Sequence, residues 1–258
     1  MEFYATLGGS CQSRAVLDAL FQAGMTGARL NLSHTTLQAC APLLKEVYQP
    51  AARSAGVEPH LIIDLQGPEL RVGALPAPIP LAEGEQAVLG EGGIPVPAAV
   101  VNAARPGHAI SLDDSALLLE VEGAQPGRLV CRVRRGGLLR SRKSLAILGV
   151  EVDSPALTRA DLDNLDVAAA FGVTHILQPF VRGKEDVLAL RRALEARGLG
   201  HVQIMAKIEN RRGLEHLREI AAAADQICIA RGDLGNAIPL WELPGIQKDI
   251  ARQCREAG

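Results

Sequence analysis

The sequence predicts an α/β protein: a parallel TIM-type (β/α) barrel, incomplete at about six strands, interrupted by a small inserted β-barrel domain. Short apolar runs alternate with helical periods at both ends of the chain, as βαβ units require. The texture changes between residues 74 and 149, where Pro76, Pro78, Pro80, Pro95, Pro97 and Pro106 crowd together and alternating runs replace helices. Two apolar runs near the C-terminus, Val202–Ile208 and Gln226–Ala230, end abruptly in charged residues, as barrel strands deliver chemistry at their tips.

The first stretch, 1–73, reads as Phe3–Leu7 strand, Ser13–Ala23 helix, Ala28–Leu32 strand, Leu37–Ala55 helix and His60–Asp64 strand, with Ser13 a helix cap. Within 74–149, Leu117–Glu122 and Leu129–Arg134 alternate with period two, the pattern of a separate β domain. Its flanking Gly73 and Gly149 are expected to lie close together, as an insertion requires. The α/β rhythm returns over 150–258. A helix from Thr158 to Ala169 opens with a capping-box-like Thr158/Asp161 pair. Strands follow at Val173–Leu177, Val202–Ile208 and Gln226–Ala230, with helices at Lys184–Arg197, Gly213–Ala223 and Trp241–Ala257. A closed barrel of this type has eight strands. The chain is therefore expected to be a fragment, or to be completed by partner chains.

Composition excludes several function classes. A net charge of −2 gives no field for nucleic acid or an anionic membrane, and 3% aromatics provide no base-stacking platform. A hydrophobic fraction of 48% suffices for a full core, yet no run is long enough to suggest a membrane span. Cys11, Cys40, Cys131, Cys228 and Cys254 lack CxxC spacing and their number is odd, so a reduced, cytoplasmic protein with small buried thiols is expected.

The tip residues are Lys207 and Glu209 on one run, Arg231 and Asp233 on the next. Two carboxylates on adjacent tips suit one divalent cation, with a lysine beside it for an anionic substrate. The alternative is a structural ion-pair network at the barrel mouth. Earlier tips add Arg29, Asn31, Ser33 and His34, then Asp64. There is no GxxxxGK phosphate loop.

Taken in order, Arg29–His34, Asp64–Arg71, Asp113–Asp114, Gly136–Lys143, Leu157–Asp161, Phe180–Arg182, Lys207–Asn210, Ala230–Gly235 and Gln247–Lys248 resemble the motifs of pyruvate kinases across nearly the whole chain. The resemblance implies a TIM barrel with a β-barrel lid, transferring a phosphoryl group from phosphoenolpyruvate to ADP with Mg²⁺ (or Mn²⁺) and K⁺, in a homo-oligomer. By motif, Glu209 and Asp233 ligate Mg²⁺, and the amides of Gly232 and Asp233 bind the substrate carboxylate. Lys207 and Arg29 act on the phosphoryl group and the developing enolate. Asn31, Ser33, Asp64 and the Leu65 carbonyl hold K⁺. Asn31, His34, Arg71 and Lys143 fall to the nucleotide, with Asp113 or Asp114 beside them; for Lys143 the alternative is a solvated charge in a basic run.

Departures from the family pattern are Leu65-Gln66 for Thr-Lys, Pro179 for a serine, Ala146–Gly149 for Asn-Leu-Pro-Gly, and Leu7-Gly8-Gly9 for Ile-Gly-Pro. Gln66 removes a positive charge and Pro179 a hydroxyl. They leave open a metal-dependent pyruvate C–C lyase or aldolase on the same scaffold, or a non-catalytic relative.

Overall fold

The computed structural model describes residues 1–33, 35–150, 152 and 154–257. The chain forms two compact units, one of Met1–Pro68 with Pro155–Gly258, the other of Glu69–Ser154.

In the first unit, β1 (Tyr4–Thr6), α1 (Arg14–Gln22), β2 (Gly27–Asn31), α2 (Gln49–Ser54) and β3 (His60–Asp64) follow in sequence. The second unit contains β4 (Ile79–Leu81), β5 (Gln86–Gly90), α3 (Ala98–Ala103), β6 (Ala109–Leu112), β7 (Leu117–Gln125), β8 (Arg128–Arg135), β9 (Gly137–Leu139) and β10 (Leu145–Ile147). The first unit then resumes with α4 (Arg159–Val167), β11 (His175–Gln178), α5 (Lys184–Glu195), β12 (Gln203–Ile208), α6 (Arg211–Glu215), α7 (Leu217–Ala223), β13 (Gln226–Ile229), α8 (Arg231–Ala237) and α9 (Leu243–Ala257).

Six strands form one all-parallel sheet in the order β1-β2-β3-β11-β12-β13. Each neighbour is the next strand of that unit, and helices fill most of the crossovers, as in a (β/α) barrel. The sheet curls. Asp64 on β3 and Lys207 on β12 are separated by β11, yet their side chains approach to 3.7 Å. Strands two apart in a flat sheet are about 9–10 Å from each other.

Curling gives the strands two faces with different jobs. Ala28, Leu30, Leu61, Ile63, Ile176, Ile204, Ala206 and Ile208 face outward into a core shared with Leu17, Phe21, Leu165, Leu190, Leu194 and Ile220 of the surrounding helices. The alternate residues line the interior, where Thr6, Arg29 and Ile62 sit in register, as do Asn31, Asp64, Leu177 and Met205.

The second unit has a five-stranded antiparallel sheet, β10-β6-β7-β8-β5, and a two-stranded pair, β4-β9. Leu89, Ile110, Leu112, Leu119, Leu129 and Val133 lie in its own core. The expectation that helices are absent from this segment is corrected by α3, where Val100 and Val101 are buried.

Two helices also differ from expectation. The helix read from Leu37 to Ala55 is a π-helical turn, Leu43–Tyr48, running into α2. Pro50 has no N–H for the Glu46 carbonyl, so the wider turn forms where the α-helical ladder would lose a bond. The helix read from Gly213 begins earlier, because the Asn210 side chain accepts the Gly213 N–H at 2.7 Å and caps α6. A break at His216 then separates α6 from α7. Among the described residues, no helix is long and apolar enough to cross a membrane.

Gly27 marks the closest approach at the N-terminal end of the sheet. A Cβ there would lie 2.4 Å from the His60 carbonyl oxygen and 3.0 Å from the Tyr4 ring. Gly27→Ala is expected to destabilise the chain by about 1–3 kcal/mol, as overpacking does. It would be read as a lower urea midpoint at unchanged slope; an unaltered midpoint would show that β3 yields there without cost.

Candidate active site

The period of two along β12 puts Met205, Lys207 and Glu209 on the interior side, with Glu209 just past the strand end. Neighbouring strands bring Arg29 and Asp64 to the same level. The result is a continuous charged chain across four strands. Arg29 donates to Thr6 Oγ1 (3.1 Å) and through Nε to Asp64 Oδ2 (2.9 Å), with a second guanidinium hydrogen bond to the same oxygen. Lys207 Nζ lies 3.7 Å from Asp64 Oδ1 and 2.6 Å from Glu209 Oε1.

Asp64 and Glu209 are each only 3% exposed. Desolvating a carboxylate opposes its ionisation, so burial pushes the Glu209 carboxyl from its ordinary 4.5 up to about 7, against the pull of Lys207. Burial also works against the Lys207 charge, but Glu209 and Asp64 outweigh it and hold the ammonium charged above its ordinary range. Asp233, exposed in the first turn of α8, is near enough for its charge to act on both groups.

Two lone-pair sites in this cluster lack a hydrogen-bond donor, Asp64 Oδ1 and Glu209 Oε1. Both oxygens face the Lys207 ammonium, Glu209 Oε1 at 2.6 Å and Asp64 Oδ1 at 3.7 Å, so each is held by an ion pair. Buried, hard carboxylate oxygens are suitable ligands for Mg²⁺ or K⁺ and poor ones for a soft metal. Among the described residues, no three His, Cys, Asp or Glu side chains are grouped to hold a metal by themselves. Mg²⁺ usually takes one or two carboxylates and completes its shell with water and substrate oxygens.

The other Glu209 oxygen is fixed. Oε2 accepts the Phe180 N–H at 2.8 Å, and Phe180 has φ +54, the left-handed region that a bulky residue rarely enters. The loop after β3 packs against the same turn: a Cβ on Gly67, itself at φ +61, would lie 2.5 Å from Pro179 Cγ.

The structure thus gathers Arg29, Asp64, Lys207 and Glu209, with Asp233 in electrostatic range. Asn31 and Ser33 lie at the end of β2, where Asn31 Oδ1 accepts the Ser33 N–H at 3.0 Å. Leu65 is buried just past β3, its N–H donated to the Leu177 carbonyl. His34 lies outside the described residues. Arg231, Gly232 and Asp233 form the first turn of α8, directly after β13, the helix start at which these amides are expected. The first hydrogen bond there runs from Leu234 N–H to the Ala230 carbonyl, so the preceding amides belong to the open helix end.

In the second unit, Arg71 pairs with Glu69 (2.7 Å) and donates to the Arg142 carbonyl, while Lys143 pairs with Asp113 at 2.8 Å. Lys143 is therefore a paired cation and not a free member of the basic run. Asp113, Asp114 and Ser115 have φ of 52°, 51° and 69°, a left-handed turn held by the Ser144 hydroxyl donating to Asp114. Sequence reasoning missed Phe180, whose motif was noted but not its backbone role. It also reduced Asp161 to a helix cap, although Asp161 Oδ1 accepts the N–H groups of Gln66 and Gly67.

The family model described as "Pyruvate kinase, barrel domain" matches residues 2–258. The pyruvate kinase of Aeropyrum pernix is 35% identical over 259 residues, covering 99% of this chain and 56% of that protein. That of Chlamydia trachomatis serovar L2 is 34% identical over 265 residues, covering 98% and 54%, and that of Geobacillus stearothermophilus 35% identical over 264 residues, covering 98% and 45%. The chain spans about half the length of these curated relatives. With charged groups at the C-terminal ends of a parallel sheet and a family match over nearly every residue, the chain belongs to the pyruvate kinase barrel-domain family.

Proposed function

We propose that this chain is the barrel part of an enzyme that transfers a phosphoryl group between phosphoenolpyruvate and ADP, giving pyruvate and ATP, dependent on Mg²⁺ (or Mn²⁺) and K⁺. The observation that carries this reading is the buried Arg29–Asp64–Lys207–Glu209 cluster, with Asp233 beside it, in a chain of this family. With all three carboxylates ionised they outnumber the two basic side chains by one negative charge, which a bound divalent cation would reverse. The C–C lyase and non-catalytic readings are not favoured, since the curated relatives quoted above are all pyruvate kinases.

In this reading Glu209 and Asp233 hold the divalent cation, which supplies charge neutralisation at the oxygens of the bound substrate. Lys207, already charged and 13% exposed at its side chain, stabilises negative charge on the transferring phosphoryl group and on the enol oxygen. Arg29 holds the phosphate, and the open amides of Gly232 and Asp233 take the substrate carboxylate. Asn31, Ser33, Asp64 and the Leu65 carbonyl hold K⁺; Asp64 Oδ1, a buried hard oxygen that accepts no hydrogen bond, supports that assignment. Nucleotide contacts are proposed for Asn31 and His34 on the first unit, and for Arg71 and Lys143 on the second. The segment 74–149 is read as a β-barrel lid between barrel segments 1–73 and 150–258, and the whole protein as a cytoplasmic homo-oligomer.

ATP formation from phosphoenolpyruvate and ADP by the chain with Mg²⁺ and K⁺, read alongside Mn²⁺ titration, tests the proposal. Absence of both turnover and Mn²⁺ binding in a folded sample would remove it. Glu209→Ala and Asp233→Ala are each expected to weaken Mn²⁺ binding at least about 100-fold, since loss of a direct ligand should exceed the outer-shell effect. Unchanged affinity in either variant would strike that residue from the ligand set.

The raised Glu209 value sets the pH dependence. Between its ordinary 4.5 and about 7 the folded chain holds a proton on Glu209 that a cation must expel. Mn²⁺ affinity should therefore climb by about tenfold per pH unit below 7 and flatten above it; a level profile would contradict ligation by Glu209. Lys207→Met should leave Mn²⁺ affinity nearly unchanged while slowing phosphoryl transfer by about 100- to 1000-fold, as for a group acting on the transition state. A near-native rate would exclude Lys207 from the chemistry.

A further inference from the structure

The first turns of α4 carry two buried polar side chains outside the charged cluster. Asp161 and Asn164, three residues apart, share one face of the helix and are 0% and 6% exposed. Asp161 divides its carboxylate between two tasks. Oδ2 accepts the N–H and hydroxyl of Thr158 (2.8 and 2.7 Å), closing the helix cap. Oδ1 reaches another loop and accepts the N–H groups of Gln66 (3.0 Å) and Gly67 (3.2 Å), directly after β3. Asn164 does the same for the loop after β2: its Oδ1 accepts the Leu37 N–H at 2.8 Å, and its Nδ2 donates to the Ala160 carbonyl at 2.9 Å.

A helix cap alone does not need this arrangement. Thr158 is satisfied by one carboxylate oxygen, and a cap at a helix start is usually solvated. A fully buried carboxylate is costly unless its lone pairs are met, and here they are met by the backbone of a different strand's loop. The two loops so held, Leu65–Gly67 and the segment leading to Leu37, extend from the tips that carry Asp64 with Leu65 and Asn31 with Ser33. Gly67 is pressed from the other side by Pro179, so the β3 loop is fixed between α4 and the turn after β11.

We propose that Asp161 and Asn164 are positioning residues: one helix face anchors both loops, and so holds the tips that carry Asn31, Ser33, Asp64 and Leu65 in place for a monovalent cation. This rests on the function proposed above, which assigns K⁺ to Asn31, Ser33, Asp64 and Leu65. Neither residue touches the cation. Each acts through the peptide groups it anchors, and the clamp governs the monovalent ion without altering the Glu209–Asp233 pair.

The test uses the full chain and Tl⁺ as the K⁺ probe, with Mn²⁺ titrated separately. In Asp161→Asn and Asn164→Ala, backbone amide exchange is expected to speed up at Gln66 and Gly67 in the first variant and at Leu37 in the second. Tl⁺ affinity should fall at least tenfold in each while Mn²⁺ affinity stays within twofold. Asp161→Asn keeps one acceptor oxygen and the side-chain shape, so it should lose less Tl⁺ affinity than Asp161→Ala. Unchanged Tl⁺ affinity with loosened loops overturns the proposal, as does a parallel fall in both affinities with the melting temperature, which marks a purely structural role. A native chain that binds Mn²⁺ but no Tl⁺ overturns this inference and leaves the phosphoryl-transfer reading standing. Clamp-dependent Tl⁺ binding without Mn²⁺ binding or turnover supports the inference and removes that reading.

Discussion

Two carboxylates, Asp64 and Glu209, are kept out of water at one end of a curled parallel sheet, and the rest of the first unit follows from how that is tolerated. Desolvation costs several kcal/mol for each ion, and the attraction of Arg29 and Lys207 returns part of it only when the geometry is close. The closeness comes from curvature: Lys207 reaches Asp64 across an intervening strand. Leu177, an apolar residue, stands between Asp64 and Met205 in register. A buried ion pair replaced by well-packed apolar residues is often no less stable. The cluster is therefore poorly explained as a stabilising device. It is better explained as a binding surface held ready for cations.

The parts of this design legible in the sequence are those fixed by local period. Lys207 and Glu209 differ by two residues on a strand-like run, so one face must carry both. Arg29 and Asp64 follow by the same rule from their own strands, and the six-strand parallel count needs only the repeated alternation of runs. What the sequence hides depends on tertiary partners or backbone ladders. Nothing local distinguishes Asp161 as a helix cap from Asp161 as an anchor for the β3 loop, because its second oxygen meets residues 94 and 95 positions away. The π-helical turn before Pro50 replaces a helix whose apolar spacing looks ordinary. In the second unit, Lys143 can be read as a solvated charge in a basic run until Asp113 is seen to pair with it, and nothing local shows the Glu69 partner of Arg71.

The turn after β11 shows how a departure from the family pattern can still serve the cluster. Gln178 is the last residue of β11, and the residue before a proline favours extended backbone, so Pro179 ends the strand without strain. Phe180 then enters the left-handed region, at a cost of about 1–2 kcal/mol for a residue with a Cβ. In that conformation its N–H meets Glu209 Oε2, and a hydrogen bond to a charged group contributes about 1.5–3 kcal/mol, enough to offset the strain. The exchange has a chemical consequence beyond stability. With Oε2 fixed by a backbone donor, only Oε1 remains open to Lys207 and to a bound cation, so the strained peptide selects which oxygen can ligate. Pro179 keeps that peptide in place by filling the space above Gly67, where no side chain fits. A serine at position 179 would offer a hydroxyl but no ring to press on the β3 loop. In this chain the Pro179 ring packs over Gly67, and the Glu209 carboxylate is held by the Phe180 N–H as well as by charge.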